Sequence, residues 1–453
     1  MPGRRVRAMP SRAARLMPET PQLTLAEHLS AHGPPPFAEP ASEPGGVAPL
    51  IAAVEQSGLT GRGGAGFPAG RKMRAVAEAG RRAGPLHSQV GTVVIANGAE
   101  SEPASGKDRL LLRRAPHLVL DGIVLAAEAV GATSAYLCVH DDSAALRDAV
   151  TSRERAGLNR VPVQVVEVPA GYVASQETAL IGLLNGTGPR PAFVPPRPSE
   201  RGVRRRPTLV QNVETLANIA LIARYGPAWF REAGPPSAPG TALITVSGTI
   251  ARPGVYEIEL GTTIGTLLDR AGGSSEPPQA VLAGGYFGGW LPLPAAGQVH
   301  LTEQALRAAG AAFGPGVLVV LPESSCPLAE IARVTEYLAG QSARQCGPCS
   351  NGLPALAGAL GHVAFGRPAG DLLHWTRQLL GLVSGRGACH LPDGTAGLVG
   401  STLTTFEADL LYHASRGPCG RAARPPVLPL PPPPAPSSPP VPPGSRARPE
   451  ALR

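Results

Sequence analysis

The chain has 453 residues, enough for about two to four domains, and most of its net charge of +8 lies outside the central part of the chain. Residues 421–453 carry a net +4 and residues 47–420 only +3, which gives no case for nucleic-acid binding through a basic face. Six cysteines are too few for a disulfide scaffold, and every long apolar stretch is interrupted by charge. These features favour a cytoplasmic protein with no membrane span.

The first part of the chain has the pattern of an α/β domain. Residues 1–46 show no sustained hydrophobic period and are predicted to be disordered. The domain at 47–240 begins with a predicted helix over 47–57. Predicted strands near 92–96, 134–139 and 162–168 alternate with helices near 117–130 and 143–154, and further helices are predicted over 175–185 and 212–224. Such alternation predicts a parallel sheet with helices packed on it.

The second part of the chain predicts two smaller domains and a tail. Two strands over 242–248 and 255–260, followed by a helix over 264–270, resemble the start of a β-grasp domain, which we place at 241–322. A helical domain at 323–420 is predicted from helices over 327–340, 350–361, 369–384 and 397–413. Residues 421–453 contain 13 prolines and are predicted to form a disordered tail.

Lysine is rare in this chain, and both lysines lie in dense motifs. Of 41 basic residues only Lys72 and Lys107 are lysines. Lys72 follows a glycine-rich loop, Gly61-x-Gly63-x-x-Gly66, which formally matches the dinucleotide-binding fingerprint. That fingerprint needs a preceding strand, and a helix is predicted here. The glycines still let backbone N–H groups approach a ligand, and an ammonium suits a phosphate. The alternative is a flexible surface loop.

A second polar segment follows the predicted strand near 92–96. It contains Asn97, Glu100 and Glu102 and continues to Lys107. Because ligands of a parallel α/β sheet lie beyond the carboxyl ends of its strands, Asn97 is expected to bond a ring edge or a ribityl group. Glu100 or Glu102 is expected to bond a sugar hydroxyl. The alternative is an acidic, solvated loop with a local ion pair.

The cysteines of the C-terminal third have the spacing of metal ligands. Cys346 and Cys349 form a C-x2-C pair, and Cys389 follows after 39 further residues. Such a set suits an iron–sulfur cluster or zinc, but it needs a fourth ligand. Of the three remaining cysteines, Cys138 and Cys326 are predicted to be buried core residues, although Cys326 remains a candidate ligand. The candidates for the fourth position are Cys419, Cys326 and His390.

Six segments of the chain together resemble a known family. They are SGLTGRGGAGFPAGRK (57–72), NGAESEPASGKDR (97–109), GYVASQETAL (171–180), RPTLVQNVETLANI (206–219), SGTIARPGVYE (247–257) and QCGPC (345–349). Their order and spacing are similar to those of the NADH-binding flavoprotein subunit of respiratory complex I and its relatives in soluble hydrogenases and formate dehydrogenases. The resemblance implies an FMN site in a Rossmann-like domain, a β-grasp (SLBB-like) domain, and a four-helix domain that holds a [4Fe–4S] cluster.

The resemblance also implies roles for individual residues. Lys72 is expected to face the FMN phosphate, and Glu102 to lie near the nicotinamide ribose. The other residues that it assigns to the flavin are Gly61, Arg62, Gly63, Gly64, Asn97, Glu100, Tyr172, Glu177, Asn212 and Thr215. The predicted metal ligands are Cys346, Cys349, Cys389 and Cys419.

The metal set departs from the family's pattern at one position. The family's first cluster cysteine falls on Ala343, whose side chain cannot ligate. Two hypotheses for the fourth ligand therefore stay open: Cys419, or a position filled by water or a small thiol.

Other departures fall on the nucleotide side. An aspartate of the flavin loop falls on Ala99, and a Gly-Glu pair falls on residues 175–176. Two phenylalanines and a lysine that contact the adenine side of NADH in the family fall on Ala75, Arg197 and Val194. The loss of two aromatic contacts predicts that NADH affinity is weakened by roughly tenfold or more.

The expected function is that of an oxidoreductase acting on NAD(P)H. Electrons would pass from a reduced nicotinamide via FMN to the cluster, and then to a ferredoxin or another iron–sulfur subunit. One alternative is an NADH-inert electron carrier or assembly module on the same fold. Another is a structural zinc site at Cys346, Cys349 and Cys389.

Overall fold

The computed structural model describes residues 15–18, 20–37, 48–82, 91–368 and 371–432. Within these ranges, no helix is both long and apolar enough to cross a membrane. Two sheets and a group of helices organise the chain, in the order that the sequence predicts.

The first sheet has four parallel strands in the order β3-β2-β1-β4. They are β1 Thr92–Asn97, β2 Ala132–Val139, β3 Val163–Glu167 and β4 Thr208–Asn212. The chain runs from β1 outward to β3 and then crosses to the other side of β1 to form β4. In such sheets ligands lie beyond the carboxyl ends of the strands at this switch point. The predicted parallel sheet is confirmed, and β4 is a strand that the sequence analysis did not predict.

Helices pack on both faces of this sheet. In the described ranges they are α1 Leu25–His32, α2 Pro49–Ser57, α3 Ala69–Arg82, α4 Lys107–Arg114, α5 Pro116–Val130, α6 Ser143–Arg155, α7 Glu177–Leu184 and α8 Val213–Arg231, which is kinked at Gly226. The backbones of α5 and α8 touch at Gly122, where a Cβ atom would lie 2.0 Å from the carbonyl oxygen of Leu216. Because Leu216 lies in the first turn of α8, this contact fixes the position of the start of α8, directly after β4.

The second sheet is mixed and has the strand order β6-β5-β9-β7-β8. Its strands are β5 Thr241–Gly248, β6 Gly254–Glu259, β7 Pro278–Ala283, β8 Gly289–Pro292 and β9 Val317–Pro322. Strand β5 pairs antiparallel with β6 and parallel with β9, and α9 Ile264–Arg270 and α10 Glu303–Ala308 accompany the sheet. The arrangement agrees with the predicted β-grasp fold.

The C-terminal helices are α11 Pro327–Gly340, α12 Leu353–Phe365, α13 Asp371–Val383, α14 Leu391–Thr405 and α15 Glu407–Arg416. An irregular helical turn, Pro348–Gly352, leads directly into α12. The single helix predicted over 397–413 is wrong, because the chain breaks at Phe406 (φ −115°, ψ 39°). The buried Phe406 ring packs edge-on against Trp290 of β8, with ring centroids 5.4 Å apart, so this break serves the contact between the helices and the second sheet.

The N-terminal segment contradicts the prediction of disorder where it is described. Helix α1 begins with a capping box between Thr24 and Glu27, and the backbone N–H of Leu16 donates to the buried carboxylate of Glu257 at 2.9 Å. Leu16 is completely buried. The capping box is visible in the sequence, whereas the partner of Leu16 lies 241 residues away in the chain. The rest of the predicted segment 1–46 lies outside the described residues.

The start of the proline-rich tail is also ordered where it is described. The backbone N–H groups of Val427 and Leu428 donate to the carboxylate of Glu330 on α11, at 3.2 and 3.0 Å. Leu428 is 2% exposed. The prediction of a disordered 421–453 is therefore wrong for residues 421–432, because a buried carboxylate on α11 binds this segment. Residues 433–453 lie outside the described part, and the domain limits given above stay a prediction.

Candidate functional site

Two asparagines lie at the switch point of the first sheet. Asn97 ends β1 and Asn212 ends β4, and the two are register partners. The Asn212 side chain begins α8, since its Oδ1 accepts the N–H of Glu214 at 3.0 Å. The Asn97 Nδ2 donates to the carbonyl oxygen of Ser175 at 2.9 Å and so binds the segment before α7. The sequence analysis expected both asparagines at a flavin site, and the fold brings them to one edge.

The glycine-rich loop lies against this edge. Its ends are joined by a bridge between Thr60 and Pro68, and a Cβ atom at Gly63 would lie 3.2 Å from the Cβ of Asn212. Gly64 has φ +113°, which side chains rarely tolerate. Among the described residues, no element outside the loop accepts a hydrogen bond from the N–H groups of residues 63–67. A run of N–H groups that no neighbouring element binds, beside a lysine, fits the phosphate end of a nucleotide.

Arg62 and Thr215 hold this loop in place. The Arg62 backbone N–H donates to the Thr215 hydroxyl at 2.9 Å, and its guanidinium donates to the carbonyl oxygen of Thr241 at 3.1 Å. Both side chains are buried. The sequence analysis placed both residues in contact with the flavin. Their side chains bind other parts of the protein, and these contacts position the loop, whereas the flavin contact stays a prediction.

Lys72 pairs with Glu177 across the mouth of the site. The Lys72 Nζ lies 2.8 Å from the Glu177 carboxylate, and the two side chains are 24% and 32% exposed. Lys72 lies in the first turn of α3, and Glu177 is the first residue of α7. The pair keeps a half-buried ammonium next to the glycine loop, where an incoming phosphate can reach it.

Lys107 has a different environment from Lys72. It is 1% exposed, and its Nζ lies 2.7 Å from the Glu214 carboxylate and 2.8 Å from that of Asp108. Burial alone would lower the pKa of Lys107, but these carboxylates raise it above its usual value. Lys107 is therefore a buried cation that ties α4 to α8. Glu100, also expected at the flavin, accepts the backbone N–H groups of Asp108 and Arg109 at the start of α4.

Glu102 connects the first sheet to the second. Its carboxylate accepts the Tyr172 hydroxyl at 2.9 Å and the backbone N–H of Tyr286 at 2.9 Å. Loss of hydration raises the pKa of Glu102 to about 7. The Tyr172 backbone N–H in turn donates to the side chain of Gln341 at 2.9 Å, just beyond α11. Glu102 and Tyr172 thus link the sheet edge at Asn97 and Asn212 to the C-terminal helices, near which the cysteines lie.

Three of the residues that depart from the family pattern are exposed or serve local structure. The Gln176 side chain caps α7 by accepting the N–H groups of Thr178 and Ala179. Ala75 is exposed on α3, and Val194 is exposed in the proline-rich loop at 189–198. The sequence analysis did not single out Phe193, which precedes Val194 and is 67% exposed. A scan for apolar residues in polar loops could have found this exposed aromatic.

Three of the four predicted metal ligands lie together at the start of α12. Cys349 is 4% exposed in the turn Pro348–Gly352, with Cys346 before it and Cys389 before α14. Burial, together with the neighbouring thiols of Cys346 and Cys389, raises the pKa of Cys349 to about 12. Three thiols so close together fit a metal centre, whose positive charge offsets the charge of the thiolates.

These three cysteines are the set for which the sequence analysis predicts an iron–sulfur cluster, with a structural zinc ion as the alternative.

The prediction that Cys419 completes this cluster is wrong. The Cys419 N–H donates to Nε2 of His413 at 3.2 Å, and Nδ1 of His413 lies 3.0 Å from the carbonyl oxygen of Val363, near the end of α12. Cys349 lies before the start of the same helix. At the rise of an α-helix, the segment from 349 to 363 is about 20 Å long. Cys419 is therefore at the opposite end of α12 from the three cluster cysteines.

Comparison with known proteins agrees with the three parts of the fold. The Nuo51 FMN-binding domain model matches residues 54–221, the SLBB domain model matches 243–286, and the iron–sulfur binding region of NADH-ubiquinone oxidoreductase-F matches 329–413. The chain thus contains an FMN-binding domain and a 4Fe–4S binding region.

Two relatives and one solved structure agree with these family matches. The chain is 30% identical to an F subunit of NADH-quinone oxidoreductase in Rhizobium meliloti, over 82% of this chain and 90% of the relative. It is 32% identical to the F subunit of the same enzyme in Mycobacterium bovis, over 82% of this chain and 85% of the relative. A chain of the NAD+-reducing [NiFe]-hydrogenase in the H2-reduced state superposes with a TM-score of 0.73 and 31% identity, over 80% of this chain and 62% of that chain. This chain thus spans less than two thirds of the hydrogenase chain. By its domains and its relatives, the protein belongs to the family that includes the F subunit of NADH-quinone oxidoreductase.

Proposed function

We propose that this protein passes electrons from a reduced nicotinamide, via FMN at the edge between β1 and β4, to an iron–sulfur cluster at Cys346, Cys349 and Cys389. The observation that supports this proposal most is the convergence of the glycine loop, Asn97 and Asn212 at the switch point of the sheet. Bound FMN supplies the exchange between two-electron hydride chemistry and single-electron transfer.

The chain's own residues would bind and orient the cofactors. The N–H groups of residues 63–67 and the ammonium of Lys72 would hold the phosphate, and the polar side chains of Asn97 and Asn212 would face the rest of the flavin. The hydrogen bonds from Tyr172 to Glu102 and Gln341 would keep the flavin edge and the cysteine helices in a fixed relation. The relative position of the flavin and the cluster matters, because the rate of electron transfer between them depends on it.

The binding of the nicotinamide is the weakest part of the site. Ala75 and Arg197 provide no aromatic surface for the adenine, and we propose that NADH binds roughly tenfold more weakly than with two aromatic contacts in place. The relatives' names give NADH as their donor, and we keep NADH ahead of NADPH here.

The test is an anaerobic titration of the FMN-loaded chain with NADH, followed by flavin absorbance, with NADPH in parallel. We expect the flavin to be reduced by NADH at high concentration. The double variant A75F/R197F should tighten the half-saturation by roughly tenfold, because it restores two aromatic surfaces. A chain that binds no FMN, or whose flavin neither nucleotide reduces, would contradict the proposal.

The second candidate is an NADH-inert electron carrier, which the exposed Ala75 and Val194 favour. It predicts bound flavin and cluster but no reduction by NADH in the same titration. Since relatives are named as subunits, we propose another iron–sulfur subunit or a ferredoxin as the acceptor. The cytoplasmic location stays a prediction.

A further inference from the structure

A second group of metal-binding side chains lies away from the three cluster cysteines. The ligand atoms of Cys326, His413 and Cys419 all lie within 4.8 Å of one another. Cys326 precedes α11, His413 lies on α15, and Cys419 follows the end of α15. Three separate segments thus bring two thiols and an imidazole to one point of the helical domain.

The dimensions of this group match a mononuclear site. The Sγ of Cys326 lies 3.6 Å from Nε2 of His413. In a tetrahedral zinc site, with Zn–S near 2.3 Å and Zn–N near 2.0 Å, a sulfur and a nitrogen ligand are about 3.5 Å apart. Thiolate and imidazole are ligands that zinc prefers, whereas calcium and magnesium prefer oxygen.

The imidazole is oriented for ligation. Nδ1 of His413 lies 3.0 Å from the carbonyl oxygen of Val363, which fixes the ring with Nε2 near the two thiols. Nε2 accepts the backbone N–H of Cys419 at 3.2 Å, and a metal ion bound at Nε2 would replace this hydrogen bond. A hydrogen bond of this kind from the other ring nitrogen is usual for metal-binding histidines. His413 and Cys326 are each 2% exposed, so the ligands are held in a buried, well-defined arrangement.

The group is open to solvent on one side. A surface cavity of about 520 Å³ is lined by Cys419, Asp409, Tyr412 and Arg421, among others. This cavity gives an ion a route to the site and leaves room for a water molecule as a further ligand. The Arg421 guanidinium, which is paired with Asp409, also lies against the Cys419 thiol.

We propose that Cys326, His413 and Cys419 bind one Zn²⁺ ion, with a water from the cavity as the fourth ligand. The ion is structural: it joins the start of α11, the end of α15 and the segment that leads into residues 421–432. Its site is separate from the iron–sulfur cluster, which lies at the other end of α12.

The probe for this site is Co²⁺, added to the full-length chain after the competing thiols have been removed. The background variant is Cys346→Ser/Cys349→Ser/Cys389→Ser, which deletes the cluster ligands. We expect it to bind one Co²⁺ per chain, with the visible bands of tetrahedral cobalt and a thiolate-to-cobalt charge-transfer band, and Zn²⁺ should displace the cobalt. Adding Cys419→Ser should abolish stoichiometric binding, and adding Cys138→Ala, a buried cysteine on β2, should leave it unchanged.

Metal analysis of the wild-type chain is the second measurement, which stays decisive if a variant fails to fold. The anaerobically purified chain should contain one zinc ion besides its iron, with two sulfur and one imidazole ligand by X-ray absorption at the zinc edge. The absence of zinc from wild type together with the absence of cobalt bands in the background variant would overturn the proposal. So would cobalt bands that survive Cys419→Ser.

Discussion

Two regions differ in how their residues are brought together: the sheet edge at Asn97 and Asn212, which we call the flavin edge after its proposed cofactor, and the C-terminal helices α11–α15, near which the cysteines lie. At the flavin edge, Asn97 and Asn212 end neighbouring parallel strands, and the sheet forces their side chains to one place. In the helical domain, Cys349 and Cys419 belong to the same packed group of helices but lie at opposite ends of α12. The comparison teaches that a sheet edge gathers residues that are distant in sequence, whereas a helix separates them by its length.

Loss of a cluster cysteine should give the largest effect. Cys349→Ser removes a ligand from the group at the start of α12, and we expect it to lose most of its iron and sulfide while keeping FMN. Cys138→Ala is the control, because it removes a buried cysteine on β2, outside both groups of metal-binding side chains, and it should keep its iron. Iron, sulfide and flavin counted on both variants check this expectation. Equal iron loss in the two would contradict the assignment of Cys349 as a cluster ligand.

The buried lysine should matter most for stability. Lys107→Met removes the ammonium from Asp108 and leaves Glu214 with only the Arg62 guanidinium, at 3.9 Å, and breaking a buried pair in this way costs about 3–5 kcal/mol. Urea unfolding measures the change. Arg113→Met, which breaks an exposed pair with Asp142, is the control and should change the free energy of unfolding little. Similar midpoints for the two variants would contradict a structural role for Lys107.

The other lysine should matter for the cofactor instead. Lys72→Met removes a half-buried ammonium beside the glycine loop, and a charged hydrogen bond contributes about 1.5–3 kcal/mol. We therefore expect FMN to bind at least roughly tenfold more weakly, with the melting temperature of the flavin-free protein almost unchanged. Fluorescence titration with FMN measures the affinity. An unchanged affinity would remove Lys72 from the phosphate site.

The smallest effect is expected at Glu102, which links the two regions, and it concerns the pH dependence of stability. The folded-state pKa of Glu102 is raised from 4.5 to about 7, so the folded carboxyl keeps a proton that the unfolded one releases. This proton's contribution to stability is fully present below about pH 4.5 and is lost as the pH rises through about 7. From pH 5 to 8 the wild type should therefore lose stability relative to Glu102→Gln, by at most about 3 kcal/mol. If the melting temperatures of the two proteins change with pH in the same way, this titration of Glu102 is excluded.

The sequence predicted the sheet and the positions at its edge, because alternating strands and helices leave few arrangements. It did not separate the residues that face a ligand from those that hold the loop. Arg62, Thr215 and Glu100 lie, like Lys72, in motifs that predict the flavin site, and only their partners in the fold show that they bind other parts of the protein. The motif marks the site as a whole, and the burial of each side chain decides its role.

For the metal ligands, the sequence identified the cysteines with a known spacing but not the partners that are distant in the chain. Cys346, Cys349 and Cys389 follow from spacing, since a C-x2-C pair is local. The partners of Cys419 could not be derived, because Cys326 lies 93 residues before it and His413 is on a helix whose end the pattern did not predict. The described parts of the two termini were missed for a similar reason. Their buried partners, Glu257 and Glu330, belong to distant elements.

The most direct test of the account follows electrons from the flavin edge to the three cysteines. The FMN-loaded, iron-replete chain is mixed anaerobically with excess NADH, and flavin absorbance and the electron paramagnetic resonance of the cluster are recorded on the same samples. We predict that the flavin bleaches and a reduced-cluster signal appears in wild type, whereas Cys349→Ser bleaches without that signal. A bleached flavin with a cluster that stays oxidised in wild type, after confirmation that dithionite reduces it, would contradict electron transfer between the two regions.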